Sequence, residues 1–284
     1  MDSRIILDDH PNIGRARSIN RAIERAKGEI IAMIDADDVM LPSRLEEQLK
    51  FLEANPQISM TSCYCYLINK RSEIVGIQKL GGFDSIEACR KNLETTEPVI
   101  CAQTGFMCYR EAILTVGGYR PIWPAEDIDL FTRMVEKGFL LVSPPKILMK
   151  YRVHNQSVMA NRDIKLQYRS AWVMYNIVQR RTGKPEISLE QYLADERKEP
   201  WRKRLDRKRR YYAYHFYRTA GIYYSCQEYF PFLWRMSVAF LLSPDYVFGK
   251  FAFQLKNRKL FQAKNKQKDV PVKPLQTMES ESSS

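Results

Sequence analysis

Residues 29–38 read Glu29-Ile30-Ile31-Ala32-Met33-Ile34-Asp35-Ala36-Asp37-Asp38. The unbroken apolar run at 30–34 suits a strand buried on both faces, and it ends in three carboxylates. In open α/β sheets, ligands bind beyond the carboxyl ends of strands. Clustered acids repel one another unless a cation is present. Hard divalent ions such as Mg²⁺ or Mn²⁺ prefer oxygen ligands and bridge to substrate phosphates. Acids at a strand end also serve as turn formers or helix N-caps, and Asp38 suits that plainer role.

On the N-terminal side, residues 4–8 read as a short strand and Asn12 and Gly14 as a turn. Ala16, Ile19, Ala22, Ile23 and Ala26 then recur at helical spacing over 15–27. Gly28 stands where such a helix stops. On the C-terminal side, Pro42 opens another helix whose expected buried face is Leu45, Leu49 and Leu52. Strand, helix, strand and helix in this order predict a parallel sheet of α/β type. Further strands are expected at 60–69, 105–109 and 139–151, the last interrupted by Pro144-Pro145. A helix over 125–137 carries Glu126, Asp127 and Asp129 in its first turn, where negative charge suits the dipole.

The chain has 284 residues, 45% of them hydrophobic, enough for a packed core. Its six cysteines show no paired zinc spacing, and reduced thiols in a cytoplasmic protein are the simplest reading. Cys63 and Cys65 share one face of a strand pattern and read as buried thiols. No stretch reaches the ~20 apolar residues of a membrane span. The net charge of +12 is unevenly placed: residues 1–159 hold 20 Lys/Arg against 21 Asp/Glu, and residues 160–284 hold 25 against 12. The first region therefore has no basic excess with which to neutralise nucleic-acid phosphates.

A set of short motifs follows in order: Asn12-Ile13-Gly14, Ala16-Arg17, Asn20, Ala26-Lys27-Gly28-Glu29, Ile34-Asp35-Ala36-Asp37-Asp38, Leu41-Pro42, Arg44-Leu45 and Gln48. Downstream come Gly117-Gly118-Tyr119, Glu126-Asp127-Ile128-Asp129-Leu130 and Tyr151-Arg152-Val153-His154. Over residues 4–159 this ordered set resembles family-two glycosyltransferases. The resemblance implies a GT-A-like (Rossmann-like) mixed sheet with flanking helices, and transfer of a sugar from a nucleotide-diphosphate donor to an acceptor hydroxyl with inversion. Carried over position by position, it makes Asp35 a donor-side carboxylate and Asp37 the ligand of a divalent cation, Mg²⁺ or Mn²⁺. Asp127 takes the place of the general base, Glu126 orients it or the acceptor, His154 adds a metal or diphosphate contact, and Arg17 is a donor contact. Each has a plainer reading: first-turn acids on a helix dipole, a surface histidine, an exposed helix arginine.

The resemblance also implies an opening strand–helix–strand unit, of ~30 residues or more, that does not precede Arg4. The fold is therefore expected to be incomplete at its N-terminus, with an apolar edge at 30–35. A non-catalytic remnant that binds a partner or a membrane is the competing function. No Gln-x-x-Arg-Trp motif is present, which favours few sugar additions over processive synthesis. The acceptor implied is a glycan or a lipid-linked acceptor.

The expected organisation is a catalytic region at 1–159, a basic aromatic-rich helical extension at 160–261 and a disordered tail at 262–284. Within the extension, Arg202, Lys203, Arg204, Arg207, Lys208, Arg209 and Arg210 stand beside Tyr211, Tyr212, Tyr214, Phe216 and Tyr217. Such a helix suits an anionic membrane surface at the inner face of a membrane, or a cap packed on the catalytic region.

Overall fold

The computed structural model describes residues 2, 4–153 and 164–252. In chain order the elements are α1 (Arg15–Arg25), β1 (Ile30–Ala32), β2 (Val39–Met40), α2 (Arg44–Glu53), β3 (Ile58–Thr61), β4 (Tyr64–Ile68), β5 (Ile74–Gln78), α3 (Ile86–Asn92), β6 (Met107–Tyr109), α4 (Arg110–Thr115), α5 (Glu126–Glu136), β7 (Leu140–Leu141), β8 (Ile147–Arg152), α6 (Ile164–Arg181), α7 (Leu189–Lys198), α8 (Trp201–Ser225) and α9 (Tyr229–Leu242). His154 and the tail at 262–284 lie outside the described residues.

The class is α/β with flanking helices and a helical C-terminal extension, as expected. The sheets are mixed, as the resemblance implies, rather than parallel, as the local spacing suggests. One sheet runs β1-β6-β3-β7 and a second β2-β8-β4-β5. Among the described strands, only β3 with β7 and β4 with β8 pair in parallel. Antiparallel β6 lies between β1 and β3, so the two strands that sequence order suggests as neighbours do not touch. The expected strand at 60–69 breaks at Ser62-Cys63, and its halves, β3 and β4, enter different sheets.

Three further expectations are corrected. Residues 4–8 form no strand, and Ile5, Ile6 and Leu7 are exposed. The 30–34 run is not buried on both faces. β1 is an edge strand in its sheet, with Ile30 and Ile31 half-buried and Ile34 exposed. α1 closes at Ala26 rather than Gly28.

The buried face of α2 keeps the expected Leu52 but is otherwise shifted. Arg44, Gln48, Phe51 and Leu52 are buried, while Leu45 and Leu49 are exposed. Arg44 donates to Gln48 Oε1 (2.9 Å) and to the carbonyls of Met33 (2.8 Å) and Phe106 (3.2 Å). Gln48 donates to the Gly105 carbonyl at 2.8 Å. Buried carbonyls at strand ends need donors, and these two polar side chains supply them where leucines could not.

The main core lies between the first sheet and its helices. Leu52, Ile58, Met60, Phe106, Ile113, Leu130 and Phe131 are buried there, with the Phe106 and Phe131 rings 4.6 Å apart. Cys63 and Cys65 pack with Leu148 and Met149 in a second cluster, and all six cysteines are free thiols.

Polar staples join the helical extension to this body. Arg180 of α6 donates to Asp129 (3.2 Å) and Glu136 (3.0 Å). Arg181 reaches the carbonyls of Asn92, Thr95 and Glu97. Such multiply bonded guanidinium groups fix orientation as well as contact.

Candidate active site

The turn after β1 is set by local bonds. Asp38 N–H donates to the Asp35 carbonyl at 3.1 Å, which lifts Asp37 toward solvent and turns Asp38 inward. Asp38 Oδ1 accepts the Arg152 backbone N–H at 2.8 Å. The Arg152 guanidinium donates to the Asp37 carbonyl (2.9 Å), the Asn69 carbonyl (2.9 Å) and Ser72 Oγ (3.1 Å). Arg152 thus clamps the acidic turn to the end of β4. Burial pushes the Asp38 carboxyl up to about 6, as loss of hydration disfavours the charged form. Its plainer reading, a structural acid, is the one its bonds support.

The three first-turn acids of α5 have separate tasks. Asp129 points inward and accepts Arg133 Nε at 2.8 Å. Glu126 is buried, and its Oε1 accepts Arg15 Nη1 at 2.8 Å. Half-buried Asp127 accepts the Ile128 N–H at 2.8 Å. Its carboxyl is pushed up to about 6, first by burial and next by the charge of neighbouring Glu126. A carboxylate held near neutrality is a competent proton acceptor.

Arg15 joins the two acidic groups. Its guanidinium donates to Gln103 Oε1 (2.7 Å), Glu126 Oε1 (2.8 Å) and Asp35 Oδ1 (3.0 Å), and lies 6.0 Å from the Trp123 ring centroid. Arg17, the expected donor contact, is exposed and does not line the cleft. The helical register explains this placement. Arg17 shares a face with exposed Arg21 and Glu24, whereas Arg15 shares one with half-buried Ile19.

The Gly117-Gly118-Tyr119 motif sets where these elements meet. Asn20 of α1 donates to the Tyr119 carbonyl and accepts the Tyr119 N–H, both at 2.8 Å. Gly118 has φ 68°, and a Cβ there would lie 2.6 Å from Asn20 Oδ1. Glycine alone meets both constraints.

Asp35, Asp37, Glu126 and Asp127 line one cleft of about 890 Å³, within the range of ligand sites. Tyr151, Arg152 and Trp123 line it too. The far wall comes from the extension: Gln167, Ser170 and Met174 of α6, and Tyr211, Tyr214 and Arg218 of α8. Sequence reading did not find these residues, nor Arg15, Gln103 and Arg152 as parts of the site. Buried polar atoms without a protein partner gather here: Gln78 Oε1, Gln103 Nε2, Thr104 Oγ1 and Glu126 Oε2. Such atoms call for a further partner such as ordered water.

Among the described residues, no group of three or more His, Cys, Asp and Glu side chains is arranged to hold a metal. A single carboxylate beside a diphosphate site still fits Mg²⁺ or Mn²⁺ chemistry, because Mg²⁺ takes one or two carboxylates and fills its other positions with water and substrate phosphates. Exposed Asp37, at the cleft wall, has that character.

The family profile described as Glycosyl transferase family 2 matches residues 1–116. An uncharacterized glycosyltransferase of Methanocaldococcus jannaschii, MJ1057, is 28% identical over 162 residues, covering 55% of this chain and 53% of its own. The amylovoran biosynthesis glycosyltransferase AmsE of Erwinia amylovora is 22% identical over 159 residues, covering 56% and 58%. The O-antigen biosynthesis glycosyltransferase WbnJ of Escherichia coli is 30% identical over 144 residues, covering 49% and 54%. The chain spans about half the length of these curated relatives. Among solved structures, the mannosyltransferase PcManGT of Pyrobaculum calidifontis, in complex with GDP-Man and Mn²⁺, is similar over 90% of this chain and 68% of its own, at 15% identity and TM-score 0.41.

Proposed function

We propose, starting from a chain that belongs to glycosyl transferase family 2 through residues 1–116, that it moves a sugar from a nucleotide-diphosphate donor to an acceptor hydroxyl with inversion at the anomeric carbon. One observation carries the reading: Asp35, Asp37 and Asp127 line a single cleft, with Arg15 bridging Asp35 to Glu126.

The acceptor oxygen attacks the anomeric carbon as the bond from that carbon to the diphosphate oxygen breaks. The hydroxyl proton passes to Asp127, whose raised pKa suits a base that must both take and release it. Glu126, fixed by Arg15, orients the acceptor and supplies part of the charge that raises Asp127. Asp35 faces the nucleotide side. Asp37 would hold a divalent cation, which when bound would supply positive charge to the departing diphosphate. His154 is proposed as a further metal or diphosphate contact. The acceptor is a glycan or a lipid-linked acceptor, taken from the cytoplasmic side.

The test is release of nucleoside diphosphate from a panel of nucleotide sugars, with and without Mn²⁺ or Mg²⁺. Asp127→Asn is expected to lower transfer by about 10²–10⁴-fold while donor binding persists. Asp37→Ala is expected to remove the metal dependence. Wild-type turnover no higher than that of Asp127→Asn with every donor would discard the enzyme reading in favour of a binding role.

A further inference from the structure

Helix α9 exposes an apolar face that no part of the described chain covers. Phe230 is 83% exposed, Leu233 60%, Trp234 63% and Leu241 80%. At spacings of three, four and seven these positions fall on one side of a helix. The opposite side is packed: Ala239 is buried, and Arg235 lies 4.7 Å from the Tyr223 ring and donates to Thr219 at 3.3 Å. The one charged residue of α9 therefore points into the α8–α9 hairpin. Residues 244–252 continue as helix, with Phe248 and Phe251 exposed. A contiguous apolar surface of this kind marks an interaction site.

We propose that this face of α9 docks in the plane of an anionic phospholipid surface, with Phe230, Leu233, Trp234 and Leu241 in the headgroup–acyl boundary. Charge selects this occupant. No Asp or Glu occurs from Tyr229 to Pro244. Arg202, Lys203 and Lys208 are exposed on α8, and Lys250 is exposed beyond α9. Between residues 253 and 269 the sequence holds six Lys or Arg against the single Asp269. Aromatic and aliphatic side chains bordered by Lys and Arg are the composition of helices that lie in a membrane interface. Length excludes crossing: 14 residues rise about 21 Å, short of the ~30 Å hydrocarbon core, and no described helix is long and apolar enough to span. The surface differs from the one composition suggests. On α8, Tyr211, Tyr214 and Arg218 line the cleft, while Arg207 and Arg209 are held by Glu196, Glu199 and Asp206.

The proposal needs neither donor nor metal, so it stands or falls apart from the transfer reaction. The full chain is sedimented with vesicles of phosphatidylglycerol and phosphatidylcholine in about a 3:7 ratio at low salt, and with phosphatidylcholine alone. Binding to the anionic vesicles and a blue shift of tryptophan emission are expected. Phe230→Ser with Trp234→Ser is expected to weaken partitioning by at least about tenfold. Trp234→Leu, which keeps the apolar area, retains it, and Ile74→Ser on the sheet region leaves it unchanged. Far-ultraviolet circular dichroism on each variant separates lost docking from lost helix. Equal binding by the double-serine variant and the wild type overturns the proposal. So does a wild type that binds no vesicle but sediments as a dimer, with the double-serine variant monomeric, because α9 is then a contact between two copies.

Discussion

The sheet region at 4–153 and the helical region at 164–252 break the hydrophobic pattern in opposite directions. In the first, polar side chains are inside where leucines were expected: Arg44 and Gln48 are buried, while Leu45 and Leu49 face out. In the second, large apolar side chains are outside on α9. Burying a polar group costs stability unless it is bonded, so the inward, bonded polar pair marks a place where backbone is being held for a purpose. That backbone leads directly into the acidic turn. An apolar face survives exposure only when something else covers it, so the outward residues mark a surface for a partner.

The largest effect expected from this contrast is at Arg44. Arg44→Leu removes the donors to Met33 and Phe106 and is expected to cost about 3 kcal/mol. Leu45→Gln and Leu49→Gln, on the same helix, are expected to stay within about 0.5 kcal/mol. Urea unfolding of the three variants checks this. If Leu45→Gln proves the costliest, the exposed side of α2 is covered in solution and the contrast fails.

A second contrast is electrostatic. Two acids beside the cleft, Asp38 and Asp127, are pushed up to about 6, chiefly by burial. Paired acids at the surface of both regions move the other way: Lys50 lowers Glu46, Lys198 lowers Asp195, and Arg209 lowers Asp206. A carboxyl with a raised folded pKa binds its proton more tightly in the folded state. Its contribution to stability is full below the unfolded value near 4 and is lost as pH rises through 6. The lowered acids act below that window and with opposite sign. Stability is therefore expected to fall between about pH 4 and 6, and Asp127→Asn to flatten the slope. The rate of sugar transfer should rise over the same interval, as Asp127 gives up its proton. A thermal-unfolding series across pH checks the first, and a rate profile the second.

The two regions also differ in how much of them could be read from sequence. Asp35, Asp37 and Asp127 could be placed together because each ends or opens an element within an ordered set of motifs. Arg15, which lines the cleft, stands two residues before the expected Arg17, and telling their placements apart needs the register of α1 against α5, not its composition. Local spacing suggests a parallel sheet because β6, which separates β1 from β3, arrives about 75 residues later than β1, and propensity carries no information at that range. The cap reading of α8 agrees with its tyrosines lining the cleft, but which side chains form that wall depends on contacts between distant elements. The basic run there drew the reading toward its surface charge, whereas Tyr211, Tyr214 and Arg218 face the site from the next two turns of the same helix.

The smallest effect isolates the two regions with the same chemical change. Ser85 caps α3 by accepting the Ala88 N–H at 3.1 Å, and Ser188 caps α7 by accepting the Gln191 N–H at 3.1 Å. Loss of such a cap costs about 1 kcal/mol of helix stability. α3 buries Cys89 and Asn92 against the body, so Ser85→Ala is expected to destabilise the whole fold by that amount. α7 has no buried residue, so its opening need not involve the core. Ser188→Ala is therefore expected to leave global unfolding nearly unchanged and to speed amide exchange within α7 alone. Equal loss of global stability in the two variants would mean that α7 unfolds only with the sheet, and that the helical extension is part of one cooperative body.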